Sequence, residues 1–353
     1  MASSPTREPP VTSPAAVQKL IGLTSLLDPW AVRAAATFRL PDLVAEGADT
    51  IGELAIRSET HPDGLGRLMR HLTLLGLFRT TADGCFEVTE MGEALRDGHP
   101  IGIRSTLDQT NPFLSRLDQS AHGLLQAVRT GGPAWEHLHG LSFWDNMTAE
   151  PGFGEGYDAQ MNQHSAMFGA AIARSYDWSS VRHVIDVGGG VGRTLAALLR
   201  EHPHLRGSLV DLPGPATEAA ALFAQADVAD RCAIVQQSFL DALPTSGDAY
   251  LVANVVHNWD DEGAASLLRR CAEAAGPGGR VLLVERIAST ATDEALQAVS
   301  HLDLFMLMTS GGRERSVDEL RQLGKTAGLE HRKTHALVNC PWLSLLEYAV
   351  ETV

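Results

Sequence analysis

Two groups of residues in this chain have types and spacing that could do chemistry. The first is Asp186, Gly188, Gly190 and Gly192, in the run HVIDVGGGVGRTLAALLREHPHLRGSLVDLP at residues 183–213. An apolar strand enters a glycine turn, an amphipathic helix follows, and a second strand ends on Asp211. That is the first βαβ unit of a nucleotide-binding sheet. Glycine lets the backbone turn with positive φ and puts no side chain between itself and a ligand, and an acid at the next strand end can accept the hydroxyls of a ribose. A dinucleotide fingerprint would need its third glycine where the chain has Arg193. A plain strand-to-helix turn would account for the glycines alone but leaves the paired acid unexplained. The second group centres on His257, in DAYLVANVVHNWDDE. It follows an apolar strand, at the edge where open α/β sheets bind ligands. An imidazole there can take a proton from a hydroxyl near neutral pH, or it can be a satisfied core histidine.

The order acid-x-G-x-G-x-G resembles motif I of the S-adenosylmethionine (SAM) dependent methyltransferases. HNWDDE is similar to the H-D-W-x-D-E segment of small-molecule O-methyltransferases, in which the histidine is the general base. The resemblance extends over nearly the whole chain and is closest to bacterial enzymes of secondary metabolism. It implies a class I fold: an α/β doubly wound, Rossmann-like sheet preceded by an α-rich winged-helix dimerisation domain. For SAM it implies Asp186, Gly188, Gly190, Asp211, Ser238, Phe239 and Asn254. Ser238 stands where the family has an aspartate before the residue that stacks on adenine, here Phe239. Ala253 stands where plant members carry a lysine, which leaves Asn254 for the SAM carboxylate. His257 becomes the base, with Glu285 (ending RVLLVE) and Glu314 (in GGRER) as flanking carboxylates. A charge closing an apolar strand needs a partner, whereas Glu314 could also be a solvated loop acid paired with Arg313 or Arg315. Met161, Phe168, Asn258 and Met306 are the acceptor-pocket candidates, and Asn258 replaces the family's usual aspartate. No metal is expected for oxygen methylation. Two alternatives stay open: a C-methyltransferase acting on an aromatic or α-keto acid, with iron on His257 and His301, and a non-catalytic homologue that only binds SAM or a metabolite.

Hydrophobic periodicity supplies the elements around these residues. Residues 1–14 read as a disordered polar tail without the apolar core of a signal peptide. Residues 15–100 read as short helices, broken near Pro29 and Pro41, followed by a hairpin turning at Asp83-Gly84. Residues 101–177 read as a helical linker, which the resemblance makes the substrate-pocket segment, and residues 178–353 alternate strands and helices. Helix, helix and wing could also be a DNA-binding regulator, but the helix before the wing sets Arg67, Arg70 and His71 among many leucines. It is built for burial rather than for base edges. Lys and Arg number 28 against 43 Asp and Glu, a net charge of −15. This excess of acid disfavours nucleic acid or an anionic membrane as partner and suits a small-molecule enzyme, for which the resemblance implies a small aromatic acceptor. Cys85, Cys232, Cys271 and Cys340 form no C-x-x-C pair, so a reducing cytoplasm is the expected compartment. The apolar helices around Leu20–Leu27 and Leu65–Leu77 exceed what so small a module can bury, which predicts a homodimer.

Overall fold

The computed structural model describes residues 12–288 and 293–351, so most of the expected tail lies outside the described residues. The chain folds as two compact units, Met1–Ser115 and Arg116–Val353.

The first unit opens with helix Pro14–Leu23, where Ser13 caps the free amides and proline fills the first position. The helix break falls at residues 24–26 and not at Pro29. Pro29 and Pro41 sit in the first turns of helices Leu27–Thr37 and Leu40–Ala45, where a missing N–H costs no hydrogen bond. Helices Ile51–Arg57 and Pro62–Leu74 follow, then strands β1 (Phe78–Thr80) and β2 (Phe86–Val88). These pair antiparallel, Phe78 opposite Val88, around a turn in which Gly84 takes φ +82°. Leu65, Leu72 and Leu77 are buried within the unit beside Leu54, Met69 and Phe78. These three are core, whereas Leu74, on the helix that carries Leu65 and Leu72, is 81% exposed and does offer apolar surface. Leu20, Ile21, Leu23, Leu26 and Leu27 do remain exposed. Two of the three basic side chains before the wing are answered by acids, Arg67 by Asp63 at 3.0 Å and His71 by Asp28 at 2.9 Å.

The second unit is built on β3 (His183–Val187), β4 (Arg206–Asp211), β5 (Cys232–Gln236), β6 (Ala249–Ala253), β7 (Arg280–Arg286), β8 (Leu329–Ala336) and β9 (Leu343–Val350). They form one sheet in the order β5-β4-β3-β6-β7-β9-β8, parallel from β5 to β7, with β9 antiparallel to both neighbours. β3, β6 and β7 are buried almost throughout, and their largely apolar sequences suit a sheet covered on both faces. One face packs on Leu267, Leu268 and Leu320, the other on Ile172, Leu195, Leu198 and Phe223. From β3 the chain proceeds to β4 on one side and later to β6 on the other. The crevice between β3 and β6 is therefore the switch point where such sheets bind ligands.

The helical segment before the sheet ends in the long helix Pro151–Ser175, which packs along helix Arg193–Glu201. Its aromatic residues knit the short helices together. Trp135 donates Nε1–H to Asn146 Oδ1 at 2.7 Å and meets Phe143 edge-on. Phe168 was expected in the acceptor pocket, but it is buried with Ile172, Trp178 and Leu195. It belongs to the core, because at that point the helix turns this face onto its neighbour rather than onto open space.

Candidate active site

The glycine turn after β3 is shaped by backbone demands. Gly188 and Gly190 have φ of +70° and +62°, conformations that a residue with a Cβ adopts only under strain. A Cβ on Gly188 would meet Val255 at 3.0 Å and Phe239 at 3.5 Å, whereas one on Gly190 would point into open space with nothing within 4 Å. Gly190 donates its N–H to Asp211 Oδ2 at 2.7 Å, and Leu212 donates to Oδ1 at 2.7 Å. The turn and the acid are thus one hydrogen-bonded unit. Burial nonetheless raises the Asp211 carboxyl to about 6. Beneath the turn, Asp186 is buried with neither oxygen hydrogen-bonded among the described residues. Burial, then the Asp211 charge, raise it to about 7. Asp211 has its two amide donors, so it is the Asp186 carboxylate that stays unsatisfied until a donor or a cation arrives.

Phe239 stands between Gly188 and Trp259, edge-on to the indole at 5.9 Å. Ser238 accepts from the Leu240 amide at 3.1 Å, which leaves its hydroxyl one donor and one acceptor site to use. Asn254 ends β6 in the left-handed region, at φ +52°, with its Nδ2 buried and unpartnered.

His257 lies in the short turn Val256–Asn258 after β6 and is buried. Its Nδ1 is 2.9 Å from Glu314 Oε1 and 3.8 Å from Glu285 Oε2. A nitrogen facing a carboxylate carries the proton and donates it, so Nε2 is left as the acceptor. Glu285 is held in turn by the Val256 N–H, 2.8 Å from Oε1, and Glu314 by its own N–H, which donates to Asp303 Oδ1 at 2.7 Å. Burial pulls the imidazole down, but the Glu285 charge, then the hydrogen bond and charge of Glu314, outweigh it. The net effect is a histidine held above its ordinary range. Burial and then its acidic neighbour push the Glu285 carboxyl up, against the pull of His257.

The loop carrying Glu314 is fastened to the histidine turn by backbone. Arg313 N–H donates to His257 O at 2.9 Å, and a Cβ on Gly312 would stand 2.1 Å from that same oxygen. Arg315, buried, binds the Val256 and Trp259 carbonyls and both approaches Asp261 Oδ1 and anchors there at 2.8 Å. Glu314 is therefore not the solvated loop acid paired with its flanking arginines.

The structure brings His257, Glu285 and Glu314 together, and it gathers Asp186, Gly188, Gly190, Asp211 and Phe239 around one crevice. Met161, Asn258 and Met306 are half-buried. His301 is exposed on helix Asp293–Thr309, and Asp303 of that helix is the residue that reaches the site. Among the described residues no group of three or more His, Cys, Asp or Glu could hold a metal ion. Sequence reasoning missed Asp158, His164 and Arg286. Burial, then Asp211 and Glu218, raise Asp158 to about 7. Burial, then Arg286 and His257, lower His164. The signal was present: Asp158, Met161 and His164 recur every third residue, as one helix face does.

The O-methyltransferase domain family matches residues 122–330, and the O-methyltransferase dimerisation domain matches residues 23–97. This chain belongs to the SAM-dependent O-methyltransferase family. The 2,7-dihydroxy-5-methyl-1-naphthoate 7-O-methyltransferase of Streptomyces carzinostaticus is 42% identical over 320 residues, covering 90% of this chain and 95% of the relative. Aclacinomycin 10-hydroxylase RdmB of Streptomyces purpurascens is also 42% identical, over 93% of this chain and 89% of its own. Among solved structures, the O-methyltransferase NcsB1 from neocarzinostatin biosynthesis, in complex with SAM and 2-hydroxy-5-methyl naphthoic acid, has a TM-score of 0.87 and 40% identity. That match covers 94% of this chain and 98% of NcsB1. The cofactor of this methyltransferase is SAM, and its crevice fits: the orphaned Asp186 carboxylate, the free Asn254 amide and the Gly190–Asp211 unit offer what an amine, a carboxylate and a ribose require.

Proposed function

We propose that this O-methyltransferase methylates a hydroxyl of an aromatic or polyketide-type small molecule, with His257 as general base. The observation that carries the reading is the buried 2.9 Å contact from His257 Nδ1 to Glu314. It fixes the tautomer, aims Nε2 at the acceptor and stabilises the imidazolium formed on proton transfer. When bound, SAM supplies a methyl group already activated by its positive sulfur. The protein's part is to hold and orient. Asp211 accepts the ribose hydroxyls, Asp186 and Asn254 face the methionyl end, Phe239 stacks on the base and Ser238 accepts from it. Met161, Asn258 and Met306 line the acceptor's side, and Glu285 supports the turn that carries His257.

In this reading residues 15–100 pair two copies, residues 101–177 roof the pocket and residues 178–353 bind SAM. The exposed row from Leu20 to Leu27 and the match to a dimerisation domain support a homodimer. Four free thiols suit a cytoplasmic enzyme, and among the described residues no helix is long and apolar enough to cross a membrane.

The test is His257→Ala, assayed by mass spectrometry with labelled SAM on phenolic acceptors. Turnover should fall by about 10²- to 10⁴-fold while affinity for S-adenosyl-L-homocysteine is unchanged. A variant with the full rate removes His257 from the mechanism. A wild-type product that gains oxygen instead of a methyl group moves the enzyme to the chemistry of its hydroxylase relative.

A further inference from the structure

Arg286, the last residue of β7, is half-buried beyond Glu285. Among the described residues it makes no ion pair; its polar contact is Nη1 to Asn254 Oδ1 at 3.5 Å. The half-buried Arg104 and Arg116 and the buried Arg315 each grip a carboxylate. A guanidinium partly withdrawn from water in a protein of net charge −15 is costly to leave without an anion.

Its surroundings offer donors. Asn254 turns Oδ1 toward Arg286 from a left-handed backbone at φ +52°, and its buried Nδ2 has no partner. His164, on the long helix, lies within electrostatic reach of both Arg286 and His257. Glu285, one residue away, has one oxygen bound to the Val256 N–H and faces His257 with the other. A planar guanidinium held at one nitrogen by an amide oxygen still offers parallel N–H groups, the donor set that takes a carboxylate in bidentate fashion.

We propose that Arg286, oriented by Asn254 Oδ1, seats a carboxylate of the acceptor while Asn254 Nδ2 stays with the methionyl end of SAM, so that the enzyme's substrates are hydroxylated aromatic carboxylic acids. This rests on the O-methylation reading above. The methionyl carboxylate of SAM has the same chemistry. The acceptor is favoured because Arg286 sits on β7, separated from the glycine turn of β3 by β6, and shares its surroundings with the base.

The test is calorimetry on wild type, Arg286→Met and Arg286→Lys with three probes: 1,4-dihydroxy-2-naphthoic acid, 1,4-dihydroxynaphthalene and S-adenosyl-L-homocysteine. Wild type, saturated with S-adenosyl-L-homocysteine, should bind the acid at least about tenfold more tightly than the diol. Arg286→Met should weaken the acid by about 10- to 100-fold, the range of one hydrogen bond to a charged group, and Arg286→Lys should recover part of the loss. Unchanged binding of S-adenosyl-L-homocysteine shows that the variants are folded. A matching loss for S-adenosyl-L-homocysteine would give Arg286 to the cofactor's carboxylate and overturn the proposal. So would a wild type that does not prefer the acid, or an Arg286→Met variant that binds it as well as wild type. Methylation of the diol is scored separately: if it proceeds without any preference for the acid, this proposal fails and the O-methylation reading stands.

Discussion

Replacing Glu314 with Gln isolates the charge on which the proposed proton transfer depends. The amide keeps the size and the acceptor oxygen of the carboxylate, so the tautomer of His257 is preserved and only the negative charge is lost. Glu314 Oε1 stands 2.9 Å from Nδ1 on a side chain 1% exposed, so water does little to screen the pair. A hydrogen bond to a charged group contributes about 1.5–3 kcal/mol, and about 1.4 kcal/mol is one decade in rate. The plateau of kcat should therefore fall by about 10- to 100-fold. The pH profile should move as well. Neutral imidazole is the active form, and the two glutamates hold His257 above the ordinary histidine range. The acid limb of wild type thus lies above that range. Removing one negative charge destabilises the imidazolium, so the limb of Glu314→Gln shifts to lower pH even as the plateau drops. Initial rates with methyl-labelled SAM across the neutral range measure both quantities. A lower plateau with an unmoved limb would mean that Glu314 only positions the ring; an unmoved plateau would refute its part in catalysis.

Gly190→Val should abolish binding of S-adenosyl-L-homocysteine while circular dichroism stays native, because the position combines φ +62° with open space on the ligand side; wild-type affinity would refute the placement of the cofactor there. Cofactor affinity should also depend on pH through Asp211, whose carboxyl burial raises to about 6. The ribose hydroxyls need the ionised form, and Asp186, raised to about 7 and proposed to face the SAM amine, needs it as well, so affinity is full above both values and weakens as each carboxylate is protonated. Asp211→Asn should bind more weakly at high pH and keep only the Asp186 step; a flat titration of wild type, or an Asp211→Asn profile identical to that of wild type, would overturn this. The double variant Leu20→Asp, Leu23→Asp should be monomeric by light scattering where wild type is dimeric, since both leucines are exposed in the single chain. A monomeric wild type at micromolar concentration would remove the pairing.

The sequence made the glycine turn, Asp211 and His257 legible because each signal is local: a strand, a turn and a polar residue fall within a few positions. The sheet was equally readable from its apolar runs. Arg286 was not, and the spacing of Asp158, Met161 and His164 marks a helix face without saying what it faces, because that meaning comes from residues far along the chain. Arg286 acquires its role only when β7 lies beside β6 and brings it to Asn254. Asp158 does so only when its helix places it in the field of Asp211. Proline misled for a different reason. Pro29 breaks a helix in its interior but is welcome in a first turn, and sequence periodicity alone does not say which it occupies. Phe168 shows the same limit for pockets: an aromatic at helical spacing reads alike whether it faces a ligand or a neighbouring helix.

Trp259, two residues past His257, lies parallel to Trp144, with ring centroids 5.6 Å apart and planes 10° from coplanar. Trp144 belongs to helix Phe143–Ala149, whereas Trp259 belongs to the turn that Arg315 fastens. Stacked indoles couple their electronic transitions, and the coupling is lost steeply as the rings separate or tilt. The enzyme therefore carries an optical gauge between that helix and the His257 turn. Near-ultraviolet circular dichroism would report any separation of the two without a label. The same stack ties the helix mechanically to the turn that carries His257, so that a ligand parting the indoles would also move that turn.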